Sequence, residues 1–428
     1  MKQSLNTIVL DAYVSRGARL HDTPSSLVVA LCMVYAFLVP AWGVVDLHVN
    51  LLTVRVNGFE LNALDALALI VIMSFFVTRK KILKNEVLSV MLFVAIAWLG
   101  FISIKAVFAP FTGHGAYQVL TLISSLAIIG VAAVIMQLPR LWIHKFLTFF
   151  LLGAATTAFA SLHQLFIGNI WFHGRLTYSA DANPAALGLF YALSIIICFY
   201  LRSCSVNKKL WLFFALFFMF SLILTQARNS LISLSISFLL VIMPVAIINT
   251  LSNFISLRAR LIRYSSLKNA IFLVLTATVL YHVFILLTAY IDFELMTHRI
   301  FLILSGDSNQ ATAGRSTIWA NYIAEIDSFN AMNFLFGIGS GMVYYQPISP
   351  HNTYISILFE HGLIGLILFK LLVFLLALVL FKAKNSHQLY SIYLFLFSLL
   401  IMFGNDYAYT TLWLVFALAC IVRVCERR

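Results

Sequence analysis

The stretch 210–248, LWLFFALFFMFSLILTQARNSLISLSISFLLVIMPVAII, decides what kind of molecule this is. Its 39 residues are apolar apart from the tetrapeptide Gln226-Ala227-Arg228-Asn229 and scattered Ser and Thr. As a single helix it would run about 58 Å, nearly twice the ~30 Å hydrocarbon core of a bilayer. It therefore reads as a hairpin of two spans, 210–226 and 229–248, that turns at the tetrapeptide.

The same apolar character extends in both directions. The chain is 62% hydrophobic and only 10% charged, against about 25% charged in an average soluble protein. Runs long enough to cross a bilayer fall at 26–45, 61–77, 86–108, 115–137, 141–167 and 184–201 before the hairpin. After it they fall at 269–291, 362–381, 388–404 and 407–422, the last two separated by Gly404-Asn405-Asp406. The predicted fold is an all-α polytopic membrane protein of about 12 transmembrane helices. Residues 1–23 are polar and mixed, so no cleavable signal peptide is expected. The five cysteines lie in or beside apolar runs, which argues against disulfides and thiolate metal sites.

Basic residues orient the spans. With the N-terminus in the cytoplasm, the inner ends hold Lys2, Arg16, Arg19, Arg79, Lys80, Lys81, Lys84, Arg140, Lys145, Arg202, Lys208 and Lys209. They also hold Arg258, Arg260, Arg263, Lys268, Lys382, Lys384, Arg423, Arg427 and Arg428. The outer side keeps only Arg55, Lys105, Arg175, Arg228, Arg299 and Arg315, and Lys370 falls inside the tenth span. Both termini are thus expected inside. The net charge of +13 is explained by orientation, and a nucleic-acid partner loses its support. The expected organisation is a cytoplasmic N-terminus (1–25), nine spans (26–291), a long outer loop (292–350), and a final part (351–428). That last part starts with an outer helix and ends with three spans and a cytoplasmic C-terminus.

A loop of about sixty residues exceeds ordinary connection lengths and points to function. Helical patterns at 294–305 and 315–328 are joined there by GDSNQATAG. A Gly-rich turn follows (Gly337, Gly339, Gly341), and then Ser349-Pro350-His351. Ser before Pro suits an N-cap and first helical position. His351 would then sit in a first turn whose free amides favour an anion.

Each candidate has a plainer reading. Arg228, at the turn of an apolar hairpin, either snorkels to the headgroups or holds an anionic lipid head. Arg315 holds the same anion or pairs with Glu325 or Asp327. Arg299 and Arg175 sit at the membrane surface or join the site, and Arg175 has Asp181 as an alternative partner. Glu360 and His361 end the short helix that His351 begins, or Glu360 orients groups at the site. His163 and His282 read as polar residues within the bundle. His48, His114, His173 and His298 lack ligand spacing, and no HxxxH, HExxH, CxxC or DxD occurs. No metal site and no cofactor are therefore indicated. FGIGSGM lacks the Lys-Ser/Thr ending of a nucleotide loop and reads as an outer turn. Asn183-Pro184 reads as the entry of the sixth span.

Several of these residues together resemble a family. His351-Asn352, nine further residues and Gly362-Leu363-Ile364-Gly365 are similar to the His-Asn…Gly-x-x-Gly pattern of the O-antigen ligase and polymerase superfamily. GRLTYSADANPAALG (174–188), LTQARNSLISL (224–234) and AGRSTIW (313–319) before LFGIGSGM resemble it in the same order. In the hairpin this chain keeps the family's Arg but has Ala227 and Asn229 beside it, where Ser and Gly or Ala are usual.

The resemblance implies a GT-C-like glycosyltransferase acting on the periplasmic face of the bacterial inner membrane. The implied donor is an undecaprenyl-diphosphate-linked glycan. Arg228 and Arg315 match the positions that hold the diphosphate, and His351 matches the catalytic histidine. Fixed cations neutralise a diphosphate leaving group, and His has a pKa suited to accepting a hydroxyl proton. The expected reaction is a metal-independent displacement with inversion. Ligation of O-antigen to lipid A-core is the leading expectation, because His351 heads the long loop and carries the ligase-like spacing. Polymerisation on a second lipid-linked glycan is the alternative. A lipid-linked-sugar transporter is disfavoured, because the spans carry few charges and these cluster at one face.

Overall fold

The computed structural model describes residues 26–49, 53–56, 59–62, 86–107, 128–167, 176–179, 183–241, 314–381, 389–404 and 410–427, with 67, 70 and 71. The helices are α1 (Ser26–Val49), α2 (Glu86–Val107), α3 (128–135), α4 (Arg140–Phe166), α5 (Pro184–Cys204) and α6 (Lys208–Leu224). They continue with α7 (Arg228–Val241), α8 (Arg315–Asp327), α9 (Ala331–Phe336), α10 (Thr353–Phe381), α11 (Leu389–Ile401) and α12 (Thr410–Arg427). Among the described residues three helices are long and apolar enough to cross a membrane, at Arg140–Phe166, Pro184–Cys204 and Thr353–Leu378. This is the composition of a helical membrane protein. The expected span 269–291 and the helix at 294–305 lie outside the described residues.

The fold is not purely helical. Thr53–Val56 and Phe59–Asn62 form an antiparallel pair, β1 and β2, in which Val56 faces Phe59 and Thr53 faces Asn62. The sequence between them is Asn57-Gly58, the residue pair that suits the left-handed geometry of a two-residue hairpin turn. The expected second span, 61–77, therefore begins inside a strand. Alternation over four residues was outweighed by the apolar run that follows it.

The 210–248 stretch does turn where its polar tetrapeptide predicts. α6 ends at Leu224, Gln226 takes a positive φ of 50°, and α7 starts at Arg228. α5 begins as its sequence suggests. Asn183 Oδ1 accepts a hydrogen bond from Ala185 N at 2.9 Å, and Pro184 occupies the first helical position.

α5 is buried on almost every face from Leu187 to Leu201, and it forms the centre of the described bundle. Its neighbours approach closely through small residues. A Cβ on Gly188 would collide with the Cβ of Ala227, and one on Gly153 of α4 would collide with the Phe37 carbonyl of α1. Between apolar helices in lipid, such close packing supplies the attraction that hydrophobic burial supplies in water. Thr157 adds a polar tie, donating to the Pro40 carbonyl of α1 at 2.7 Å. His163, expected inside the bundle, is instead exposed on α4.

Candidate active site

The site is organised by a break in α10. Gly362 has φ 66° and ψ −168°, so residues 353–361 and 363–381 are two helical arms rather than one rod. The break leaves the carbonyls of Phe359 and Glu360 without helical partners. Ile338 N and Gly339 N, in the Gly-rich turn, donate to them at 3.1 Å each. A Cβ on Gly337 would strike the Glu360 carbonyl, and one on Gly362 would strike Leu335. The two glycines permit a backbone-on-backbone contact that no other residue allows. Glu360 is buried, and its Oε1 accepts from Val343 N at 3.0 Å. Its carboxylate thereby clamps the loop to the break.

The start of the short arm differs from expectation. The N-cap is Asn352, not Ser349: Asn352 Oδ1 accepts from Tyr354 N at 3.0 Å and Ile355 N at 3.3 Å. His351 precedes the helix in a left-handed conformation, φ 47°, which a non-glycine residue adopts at a steric cost. The cause is tertiary. Trp319 Nε1 donates to the Pro350 carbonyl at 2.7 Å, and the Tyr322 hydroxyl donates to the Ile348 carbonyl at 3.0 Å. A helix begun at Ser349 would need the Pro350 carbonyl for its own Tyr354 amide. The anion role expected for the first-turn amides falls with it. Thr353 N donates to the Met402 carbonyl at 2.9 Å, Asn352 Oδ1 takes the next two amides, and the Asn352 carbonyl takes Ser356 N.

Arg315 is the first residue of α8, half-buried and one turn before Trp319. Neither alternative partner is within reach. Glu325 and Asp327 are ten and twelve residues along the same helix, about 15 and 18 Å away by rise. Glu325 instead accepts from Gln346 Nε2 at 3.2 Å.

Arg228 is half-buried at the first residue of α7. Its neighbour Asn229 donates through Nδ2 to the Ile401 carbonyl at 3.2 Å. Asn229 also lies so close to Gly404 that a Cβ there would overlap it. The next carbonyl, Met402, is the one that receives Thr353 N. The turn 401–404 is thus a strut between the Arg228 turn and the helix start at Thr353, two residues after His351. On the other side of Arg228, Leu176 N donates to the Leu224 carbonyl at 3.1 Å.

Of the three residues predicted from sequence, Arg315 lies on a helix bonded directly to the segment of His351 through Trp319 and Pro350, and the Arg228 turn is linked to that segment through residues 401 and 402. Asn352 and Glu360 are there too, with polar atoms committed to holding backbone. Arg175 and Arg299 lie outside the described residues. Among the described residues no cluster of His, Cys, Asp or Glu has the placement to hold a metal ion. Trp319, Asn229 and Gly404 were missed in the sequence, although Trp319 lies within AGRSTIW and Asn229 beside Arg228. Compared with known proteins, the chain matches no family model and no curated protein.

Proposed function

We propose that this chain is a membrane glycosyltransferase that moves a glycan from undecaprenyl diphosphate to a sugar hydroxyl of lipid A-core, as an O-antigen ligase does. The observation that supports this reading is the chain of hydrogen bonds that links the segments of Arg228, Arg315 and His351, from Asn229 to Ile401, from Thr353 to Met402 and from Trp319 to Pro350. In the proposed orientation both termini are cytoplasmic and the site faces the periplasm of the bacterial inner membrane.

The roles follow from chemistry. Arg228 and Arg315 present planar forks suited to two phosphate groups. His351 accepts the proton of the acceptor hydroxyl as that oxygen attacks the anomeric carbon. The bond from that carbon to the diphosphate breaks with inversion, and its electron pair leaves on a phosphate oxygen that the arginines neutralise. The strained φ of His351, imposed by Trp319 and the Asn352 cap, fixes where the imidazole starts.

The test is transfer by purified protein given undecaprenyl-diphosphate glycan and lipid A-core. Glycosylated lipid A-core is the expected product. Product only on a second lipid-linked glycan would make the chain a polymerase, and no product on either acceptor would refute the reading.

A further inference from the structure

The break at Gly362 creates a second feature beside His351. Tyr354 and Lys370 are each eight residues from Gly362, about 12 Å along their arms. Yet Lys370 Nζ lies 5.8 Å from the centre of the Tyr354 ring, and the Tyr354 and Phe369 rings are 6.5 Å apart. The arms fold back on each other and leave a half-open groove of about 430 Å³. Asn352, Tyr354, Phe369, Lys370, Val373 and Phe403 line it. The volume is in the range of small-molecule sites.

Lys370 gives the groove its character. In sequence it is a lone cation within an apolar span, a costly place for a charge. In the structure it is exposed at the groove, with an aromatic face beside it. Among the described residues no acidic side chain pairs with it. The walls around it are aromatic and aliphatic, and the outward face of the same arm carries exposed Ile367, Leu371 and Phe374. An apolar trough with one ammonium group is complementary to a lipid chain ending in a phosphate. A compact ammonium suits a single phosphate monoester, whereas the arginine forks suit a diphosphate. The groove also reaches Asn352, the residue next to the proposed base.

We propose that the Tyr354–Lys370 groove seats the phosphate-bearing acceptor lipid, presenting its sugar hydroxyl to His351. Lys370 binds the phosphate, and Phe369, Val373 and Phe403 contact the start of the lipid chain. The acceptor role rests on the glycosyltransferase reading above; the lipid site itself is tested without it.

The lipid arm uses full-length protein in neutral phosphatidylcholine nanodiscs and a phosphatidate probe with a diazirine near its head. Labelling is expected within 352–373 and at Phe403. Excess phosphatidate should compete, and phosphatidylcholine of the same chains should not. Loss of one charge-assisted contact should lower labelling about tenfold or more in Lys370→Gln. Lys370→Arg should retain it, which separates loss of charge from misfolding. Equal labelling of Lys370→Gln overturns the site. So does equal competition by phosphatidylcholine, or competition by inorganic phosphate alone.

The kinetic arm varies each substrate in turn. Lys370→Gln should raise KM for lipid A-core about tenfold, with KM for the donor within twofold of wild type. A rise confined to the donor overturns the acceptor assignment. A wild-type protein that labels at the groove but transfers nothing refutes the glycosyltransferase reading and the acceptor role, and leaves the lipid site standing.

Discussion

Gly362→Ala should undock the Gly-rich loop from α10 without unfolding the bundle. At φ 66° and ψ −168° the backbone occupies a region essentially reserved for glycine, where another residue pays about 1–3 kcal/mol. The added Cβ would also overlap the Leu335 carbonyl and Gly337 N, both backbone atoms that cannot rotate away. Relief requires the loop to move off, which loses Ile338 N to Phe359 O, Gly339 N to Glu360 O and Val343 N to Glu360 Oε1. Two neutral bonds at about 1 kcal/mol each and one to a carboxylate at about 1.5–3 kcal/mol hold the docked loop. A weakening of about 3 kcal/mol accelerates amide exchange on the order of a hundredfold. Gly100→Ala is the control. It lies inside α2 with nothing within 4 Å of a new Cβ, so it should be neutral or stabilise the helix by up to about 1 kcal/mol. Hydrogen exchange by mass spectrometry over 337–343 reads the difference. Unchanged exchange in Gly362→Ala, or equal loosening in Gly100→Ala, would refute the account of the break.

Arg228→Ala should abolish transfer and weaken binding of undecaprenyl-diphosphate glycan, with Arg228→Lys intermediate because it keeps charge without the fork. His351→Ala should leave donor binding nearly intact while transfer falls about 10²–10⁴-fold; equal loss of donor binding would make His351 a diphosphate ligand instead. Asn229→Ala cuts the strut to Ile401 and should slow transfer about tenfold with α-helical circular dichroism unchanged, while a wild-type rate would show that the strut does not position Arg228. Trp319→Phe keeps a ring but strips the Pro350 carbonyl of its donor, at about 1–3 kcal/mol; transfer should drop at least fivefold, and an unaltered rate would detach α8 from the positioning of His351. Activity should survive EDTA, since the sequence carries no HxxxH, HExxH or CxxC ligand set; loss reversed by Mg²⁺ or Mn²⁺ would reveal a metal site.

Some helix boundaries were legible where an apolar run met a polar break. The turn at Gln226–Asn229 and the entry at Asn183-Pro184 are set by local chemistry: a bilayer-length limit in one case and an N-cap in the other. α8 at Arg315–Asp327 matches its periodic pattern over 315–328 for the same reason. The β-hairpin at 53–62 was hidden because its Asn-Gly signal is two residues long and adjoins a stronger apolar one.

By itself the sequence determined the apolar helical class and the helix boundaries at Gln226–Asn229 and Asn183-Pro184, since these depend on side chains within a few residues of one another. It also offered Arg228 and Arg315 as outer arginines in a chain whose basic residues lie mostly on the other side, and His351 through the Ser349-Pro350 signal and the family resemblance. Only the tertiary structure decided how the segments that carry them are linked. Ser349-Pro350 carries a valid local cap signal, but one indole N–H from α8 takes the Pro350 carbonyl and moves the helix start to Thr353. Lys370 reads as a misplaced charge in a span until a single glycine folds the arms and brings it beside Tyr354. Bonds between residues tens to hundreds of positions apart, such as Asn229 to Ile401, leave no periodicity to read, because each partner satisfies its local pattern equally well without the other.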